Sequence, residues 1–208
     1  SDISVFSFHP VKIITTAEGG MATTKNSQLA QRMADIRNHG ITKDETRFIQ
    51  PADGPWSYEQ HKLGFNYRLT DIQAALGLSQ LGRLESIVAE RQRLHEVYQR
   101  KLKPLPLSLL QIPQGVSSAL HLGVIRLQNK DPLYHRKVFD GLRTANIGVQ
   151  LHYTPVHLQP YYRNLGFKEG DFPNAEAYAH NAMSLPLYPG LQEHQLQRVV
   201  DALWNLLC

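Results

Sequence analysis

The 208-residue sequence predicts an α/β fold. Three observations carry that reading. The chain opens on an apolar, β-prone run built from Val5, Phe6, Phe8, Val11, Ile13 and Ile14. From Thr70 a capped helical stripe continues for roughly 30 residues, about 45 Å of helix. After a proline-rich stretch, strand-like and helix-like patterns alternate to the end, as in a small α+β domain. The composition is that of a globular chain, with 42% hydrophobic and 19% charged residues, which argues against disorder. No apolar run reaches the roughly 18 residues a membrane span needs. Ser1-Asp2-Ile3-Ser4 lacks the basic leader and long apolar stretch of a signal peptide. The sequence has no initiator Met and opens directly into a strand-like run, so it reads as though it begins in mid-domain.

The elements follow in order. Ser4 to Thr16 reads as two short strands or one broken strand, because Pro10 cannot donate to a ladder. Gly19-Gly20 marks a turn, and Met21 to Thr24 returns as a strand. Ser27 suits the N-cap of a helix over Gln28 to about Asn38, with Leu29, Met33 and Ile36 on one face and Gly40 ending it. Ile41 to Tyr67 has no clean period, and a loop of that length is usually functional or mobile. Thr70-Asp71-Ile72-Gln73 fits a capping box. The stripe Ile72, Ala75, Leu76, Leu81, Leu84, Val88, Leu94, Val97 and Tyr98 then predicts one helix to about Leu102. Pro104, Pro106, Pro113 and Gly115 read as a linker. His121 to Leu127 alternates like a strand. Asp131-Pro132 is a cap with Pro at the first helical position, opening a helix to about Ala145. Gly148 to Thr154 reads as a strand, and Ala175 to Met183 and Glu193 to Leu207 as helices.

The net charge is +4, from 22 basic and 18 acidic residues. The densest basic group, Arg91, Arg93, Arg100, Lys101 and Lys103, falls on the predicted long helix, where such a group is most often a solvated face. No nucleic-acid partner is expected, although mild basicity would favour an anionic small molecule. Cys208 is the single cysteine. That leaves no disulfide framework or cysteine metal site and suits a reducing cytoplasm.

Lys12 is the most unusual residue, because it stands among apolar neighbours. A buried lysine is pushed toward its neutral amine, the form Schiff-base chemistry requires. A lysine at a strand end more often snorkels to water, and composition alone leaves that reading open. Ser7 adds a hydroxyl, and Gly19-Gly20 would let backbone approach a ligand closely. Asn66-Tyr67-Arg68 precedes the capped helix, a junction suited to anions or to local caps. The ten histidines give no metal spacing; His152 and His157 are not the i, i+4 pair of a zinc helix. No glycine-rich phosphate loop precedes a helix, so nucleotide hydrolysis has no support.

Together these residues resemble a known family. Phe6-Ser7-Phe8-His9-Pro10-Val11-Lys12, followed by Glu18-Gly19-Gly20, resembles the lysine motif of the DegT/DnrJ/StrS sugar aminotransferases, pyridoxal 5'-phosphate (PLP) enzymes of fold type I. Further stretches agree in order: Arg37-Asn38-His39-Gly40; Gly64-Phe65-Asn66-Tyr67-Arg68-Leu69 with Asp71 and Gln73-Ala74-Ala75; His152-Tyr153-Thr154-Pro155; and Ser184 to Leu191. Within the family the likeness is strongest to enzymes aminating C4 of a UDP-linked 4-keto-6-deoxy sugar, carried by Gly64 to Ala75, His152 to Tyr162 and Gly170 to Glu176.

The resemblance implies a role for each matched residue. Lys12 would be the Schiff-base lysine and the base for the proton shift. Ser7 would hold the cofactor phosphate, and Asn66 would reach the phosphate in a partner subunit, making the active unit a homodimer. His152 and Tyr153 would approach the sugar nucleotide. His9 and Arg68 match motif positions without an assigned role. Glutamate would be the amino donor. The implied organisation is the end of a large mixed-sheet PLP domain over residues 1–69, a connecting helix over 70–103, and a small α+β C-terminal domain over 104–208. The family's ring-stacking aromatic and the Asp that pairs with the pyridine nitrogen have no counterpart here. The 208 residues alone are therefore expected to be inactive and to hold PLP weakly or not at all. Two alternatives stand beside this reading. One is a PLP-dependent sugar dehydratase, in which histidine typically replaces the lysine. The other is a non-catalytic dimerisation or regulatory module.

Overall fold

The computed structural model describes residues 1–208. The chain separates into two compact units, Ser1–Leu84 and Glu85–Cys208. No helix is long and apolar enough to cross a membrane.

In the first unit, β1 (Ser4–Ser7) and β2 (Gly20–Thr23) form an antiparallel ribbon with Ser4 opposite Thr23 and Ser7 opposite Gly20. Val11 to Ile14 is not the second half of a strand. After Pro10 the backbone turns, and the Lys12 amide donates to the His9 carbonyl at 2.9 Å. Helix α1 (Ser27–Arg37) begins one residue earlier than the pattern suggests. Its cap is Asn26, whose Oδ1 accepts from the Gln28 and Leu29 amides at 2.9 and 3.1 Å. The long loop contains a minimal pairing of β3 (Ile41–Thr42) with β4 (Glu59–Gln60). Helix α2 (Asp71–Leu81) starts on the expected capping box of Thr70 and Gln73.

The stripe from Thr70 to Leu102 is two helices rather than one. Helix α2 ends at Leu81, and α3 (Leu84–Leu102) begins after Gly82 and Arg83. Glycine is the weakest ordinary helix former, and the apolar stripe crosses this point without registering it. Thr16, Gly40 and Thr42 are the only buried residues of the first unit. Val5, Phe6 and Met21 of the ribbon remain exposed.

The second unit holds the core. Strands β5 (Leu107–Leu109), β6 (Gly123–Leu127) and β7 (Ala182–Leu185) make an antiparallel sheet in the order β5-β6-β7. Their inward residues pack with α3, with α4 (Pro132–Thr144) and with α7 (Glu193–Leu207). Leu94, Tyr98, Leu102, Ile125, Val138, Leu142, Met183, Leu196 and Leu203 are almost wholly enclosed. Helix α4 has the expected Asp131 cap and Pro132 start, and α7 has the expected limits. Three expectations change. The proline-rich stretch read as a linker contains β5, paired with β6. Residues 148–154 contribute only a single bridge, Gln150 to Ser184, rather than a strand. The segment read as a helix over 175–183 splits into α6 (Pro173–Ala179) and the start of β7, because Met183 and Leu185 are claimed by the sheet. The short α5 (Pro160–Arg163) lies between.

Candidate functional site

Lys12 sits in the loop that joins β1 to β2, where it is half-buried rather than enclosed. Phe8 is the hub of this loop. Its amide donates to the Gly19 carbonyl at 2.9 Å, and its carbonyl accepts from the Thr16 amide and the Thr15 hydroxyl, both at 3.0 Å. Thr16 Oγ1 donates to the Glu18 carbonyl at 2.8 Å. The start of α2 braces the same loop, with Gln73 Nε2 donating to the Glu18 carbonyl at 3.0 Å. Gln73 therefore both completes the helix cap and holds the lysine loop, a second role that the local capping pattern does not reveal. The structure also gives Gly19 and Gly20 a reason other than ligand approach. A Cβ on Gly19 would strike Thr16 and Leu69, and one on Gly20 would strike the Phe6 carbonyl. Ser7 ends β1 opposite Gly20, five residues before Lys12 in the same ordered segment. His9 is 3.9 Å from Glu18 and accepts from the Val11 amide, so it helps to shape this turn.

Asn66 belongs to a second assembly in the first unit, where two sequence motifs meet. The His39 amide donates to the Phe65 carbonyl at 2.8 Å, Phe65 to the Ile36 carbonyl at 2.7 Å, and Tyr67 to the Arg37 carbonyl at 2.9 Å. Asn38 and Asn66 form an isolated bridge. Arg68 Nη1 donates to Asn38 Oδ1 at 2.8 Å, giving Arg68 a bracing role across the junction. Gly40 has φ +70, and a Cβ there would overlap the Lys62 carbonyl; only glycine suits both demands. Asn66 itself is exposed, and the Phe65 and Tyr67 rings flanking it stack at 4.7 Å. Beside this junction, Arg47 grips Asp35 with both guanidinium nitrogens, at 3.1 and 2.5 Å. That hydrogen bonding holds the Asp35 carboxyl below the usual carboxylate range.

His152 and Tyr153 lie in the second unit, just past the bridge from Gln150 to Ser184. Their rings meet edge to face at 4.8 Å, and Tyr153 is 71% exposed while His152 is half-buried. Downstream, His157 Nε2 meets Glu176 Oε1 at 2.8 Å, with both side chains largely buried. The hydrogen bond from His157 keeps the Glu176 carboxyl below its ordinary range. The pair is 19 positions apart, a spacing with no local pattern, so sequence reading had no means of finding it.

Lys12 and Ser7 share the β1–β2 segment, and Asn66 lies in the separate junction. An amine suits an aldehyde, and a hydroxyl and a carboxamide suit a phosphate, so the chemistry of these three side chains is compatible with a PLP cofactor.

The chain as a whole is similar to known proteins. The chain is 32% identical over 208 residues to the UDP-4-amino-4,6-dideoxy-N-acetyl-beta-L-altrosamine transaminase of Campylobacter jejuni, covering all of this chain and 53% of that protein. Helicobacter pylori PseC, an aminotransferase of pseudaminic acid biosynthesis, superposes with a TM-score of 0.89 at 31% identity, covering 100% of this chain and 53% of PseC. Streptococcus pneumoniae Spr1654 in its PMP form superposes with a TM-score of 0.91 at 30% identity, over 99% of this chain and 53% of that one. The chain thus spans about half the length of the curated relatives it matches. Its α/β architecture is part of the fold type I architecture of these proteins. A profile of the DegT/DnrJ/EryC1/StrS aminotransferases matches residues 1–204, and the chain belongs to that family.

Proposed function

We propose that the protein to which these residues belong is a PLP-dependent aminotransferase. It would move an amino group from glutamate to C4 of a UDP-linked 4-keto-6-deoxy sugar, for a surface-glycan or flagellin sugar. The observation that carries this reading is the ordered loop presenting Lys12, braced by Phe8 and Gln73, in a chain of this family. Presence of the lysine favours amino transfer over dehydration.

Bound PLP supplies an electron sink for the substrate carbon that loses or gains a proton. Lys12 would hold it through its amine and would carry the proton at its Nζ during amino transfer. Ser7 holds the phosphate from the same subunit. The exposed Asn66 holds it from the partner subunit, so the working unit is a homodimer with shared sites. His152 and Tyr153 receive the sugar nucleotide. Over a full cycle glutamate would take up one water and leave as 2-oxoglutarate, and the sugar would gain the amine and give up its keto oxygen as one water, so that no net water is formed. A cytoplasmic location is part of this proposal; a single cysteine and a nucleotide-sugar substrate are compatible with it.

The test uses the complete protein with glutamate and a panel of UDP- and dTDP-linked 4-keto sugars. One 2-oxoglutarate should form per amino sugar, with a UDP-linked 4-keto-6-deoxy sugar preferred. Lys12→Ala should lower turnover by about a thousandfold or more. Full activity in that variant, or no turnover with any of the sugars, would overturn the reading.

A further inference from the structure

Two stretches of the second unit, residues 156–162 and 170–176, are separated by seven residues and have one carboxylate in common. Glu176, on α6, accepts from His157 Nε2 at 2.8 Å. Its two oxygens also accept from the Gly170 amide at 2.9 and 3.0 Å, and Oε1 lies 3.4 Å from the Phe172 amide. One ionisable group therefore gathers a histidine and two backbone donors. The side-chain exposures of His157 and Glu176 are 8% and 13%, so water competes little for these bonds. Bonds to a charged acceptor are the stronger kind.

What the carboxylate holds is an arm of aromatic rings. His157 packs edge-on to Phe172 at 4.8 Å. Phe172 is 6.0 Å from Phe167, Phe167 is 6.5 Å from Tyr162, and Tyr162 is 5.2 Å from Tyr161. Gly166 and Gly170, with φ of +102 and +91, make the turns that fold the arm back. The arm does not bury its rings as a core would: Tyr161 is 69% exposed and Phe172 48%. A polar clamp beneath exposed aromatic faces gives a rigid flat surface at small entropy cost, as a recognition surface requires.

We infer that Glu176 is a positioning residue for the sugar-nucleotide acceptor, fixing the aromatic arm through His157 and the Gly170 and Phe172 amides. The inference rests on the aminotransferase reading above. The arm continues directly from His152 and Tyr153, the residues given to the sugar nucleotide. A planar base and the C–H face of a sugar both stack on aromatic rings. Glutamate, a flexible dicarboxylate, has no such face. Glu176 should therefore matter to the acceptor and not to the donor.

The experiment compares the complete wild-type protein with Glu176→Gln, His157→Gln and the double variant. It measures amino-group uptake from glutamate, KM for the UDP-linked 4-keto-6-deoxy sugar, and the thermal midpoint. Glu176→Gln keeps the shape and removes the charge. Its KM for the sugar should rise about tenfold, while uptake from glutamate stays at the wild-type value. The double variant should be no worse than either single one, because both break the same clamp. An unchanged KM would overturn the inference. So would a joint loss of uptake, KM and midpoint, which marks a purely structural bond. A wild-type protein that takes no amino group from glutamate overturns the aminotransferase reading and this role together. An active wild type with a normal Glu176→Gln variant overturns this role alone.

Discussion

Arg91 stands in the basic group that the sequence reads as a solvated face, yet it is 6% exposed. Its Nη1 donates to the Leu120, His121 and Leu187 carbonyls at 3.2, 3.2 and 2.8 Å. A buried guanidinium is tolerated when its protons find acceptors; here Nη1 finds backbone carbonyls, while the buried Nε has no partner. Arg93, a little over half a turn away, is exposed and pairs with Glu90 as expected of a surface residue. His95 and His135 are buried as well, and burial lowers the pKa of both from the ordinary 6.5. His135 Nε2 lies 3.0 Å from the Ala182 carbonyl, which can only accept, so that nitrogen carries the proton. The sign of the pH effect follows. Because the folded pKa lies below the unfolded one, the neutral rings favour the fold fully above about 6.5. That contribution is lost as pH falls from there through the folded values. The thermal midpoint of the second unit should therefore drop between about pH 7.5 and 5. In a double variant with His95→Gln and His135→Gln the drop should be smaller; an equal drop would assign it to other groups.

Among the elements, the helix starts were the most legible. The capping boxes and proline starts of α2 and α4 are short-range chemistry, complete within four residues. Asn26 displaced Ser27 as the cap of α1 because either side chain can accept from the first amides, and a one-residue shift leaves the apolar face almost unchanged. Gln73 ties the cap of α2 to the lysine loop by a bond spanning 55 positions. Gln73→Ala should loosen that loop while leaving α2 formed. Hydrogen exchange at the Thr16 and Ala17 amides should speed up about fivefold, corresponding to about 1 kcal/mol. Unchanged exchange would mean that Phe8 alone holds the loop. Strands were less legible. Leu107–Leu109 hides among prolines, and Met183 continues an apolar pattern that helix and sheet share, so period cannot separate them.

For the molecule as a whole, the apolar residues are divided unequally. Every residue of the hydrophobic core lies between Leu94 and Leu203. The first unit encloses almost nothing, and a two-stranded ribbon by itself is marginal in water. Residues 85–208 produced alone should therefore unfold cooperatively on heating, followed by far-ultraviolet circular dichroism. Residues 1–84 produced alone should show no cooperative transition. A sharp transition in the shorter piece would mean that its loops and ribbon stabilise one another more than their burial implies.

The sequence by itself determined the α/β class, the caps of α2 and α4, the limits of α7, the family and the candidate lysine. These rest on residues close together in the chain, where propensity and spacing act directly. Only the tertiary structure decided that Arg91 is buried, that the Arg37 and Asn66 motifs are laced together, and that His157 meets Glu176. Each of those depends on closing loops of many residues, and no local pattern records which distant partner the chain will meet when it folds.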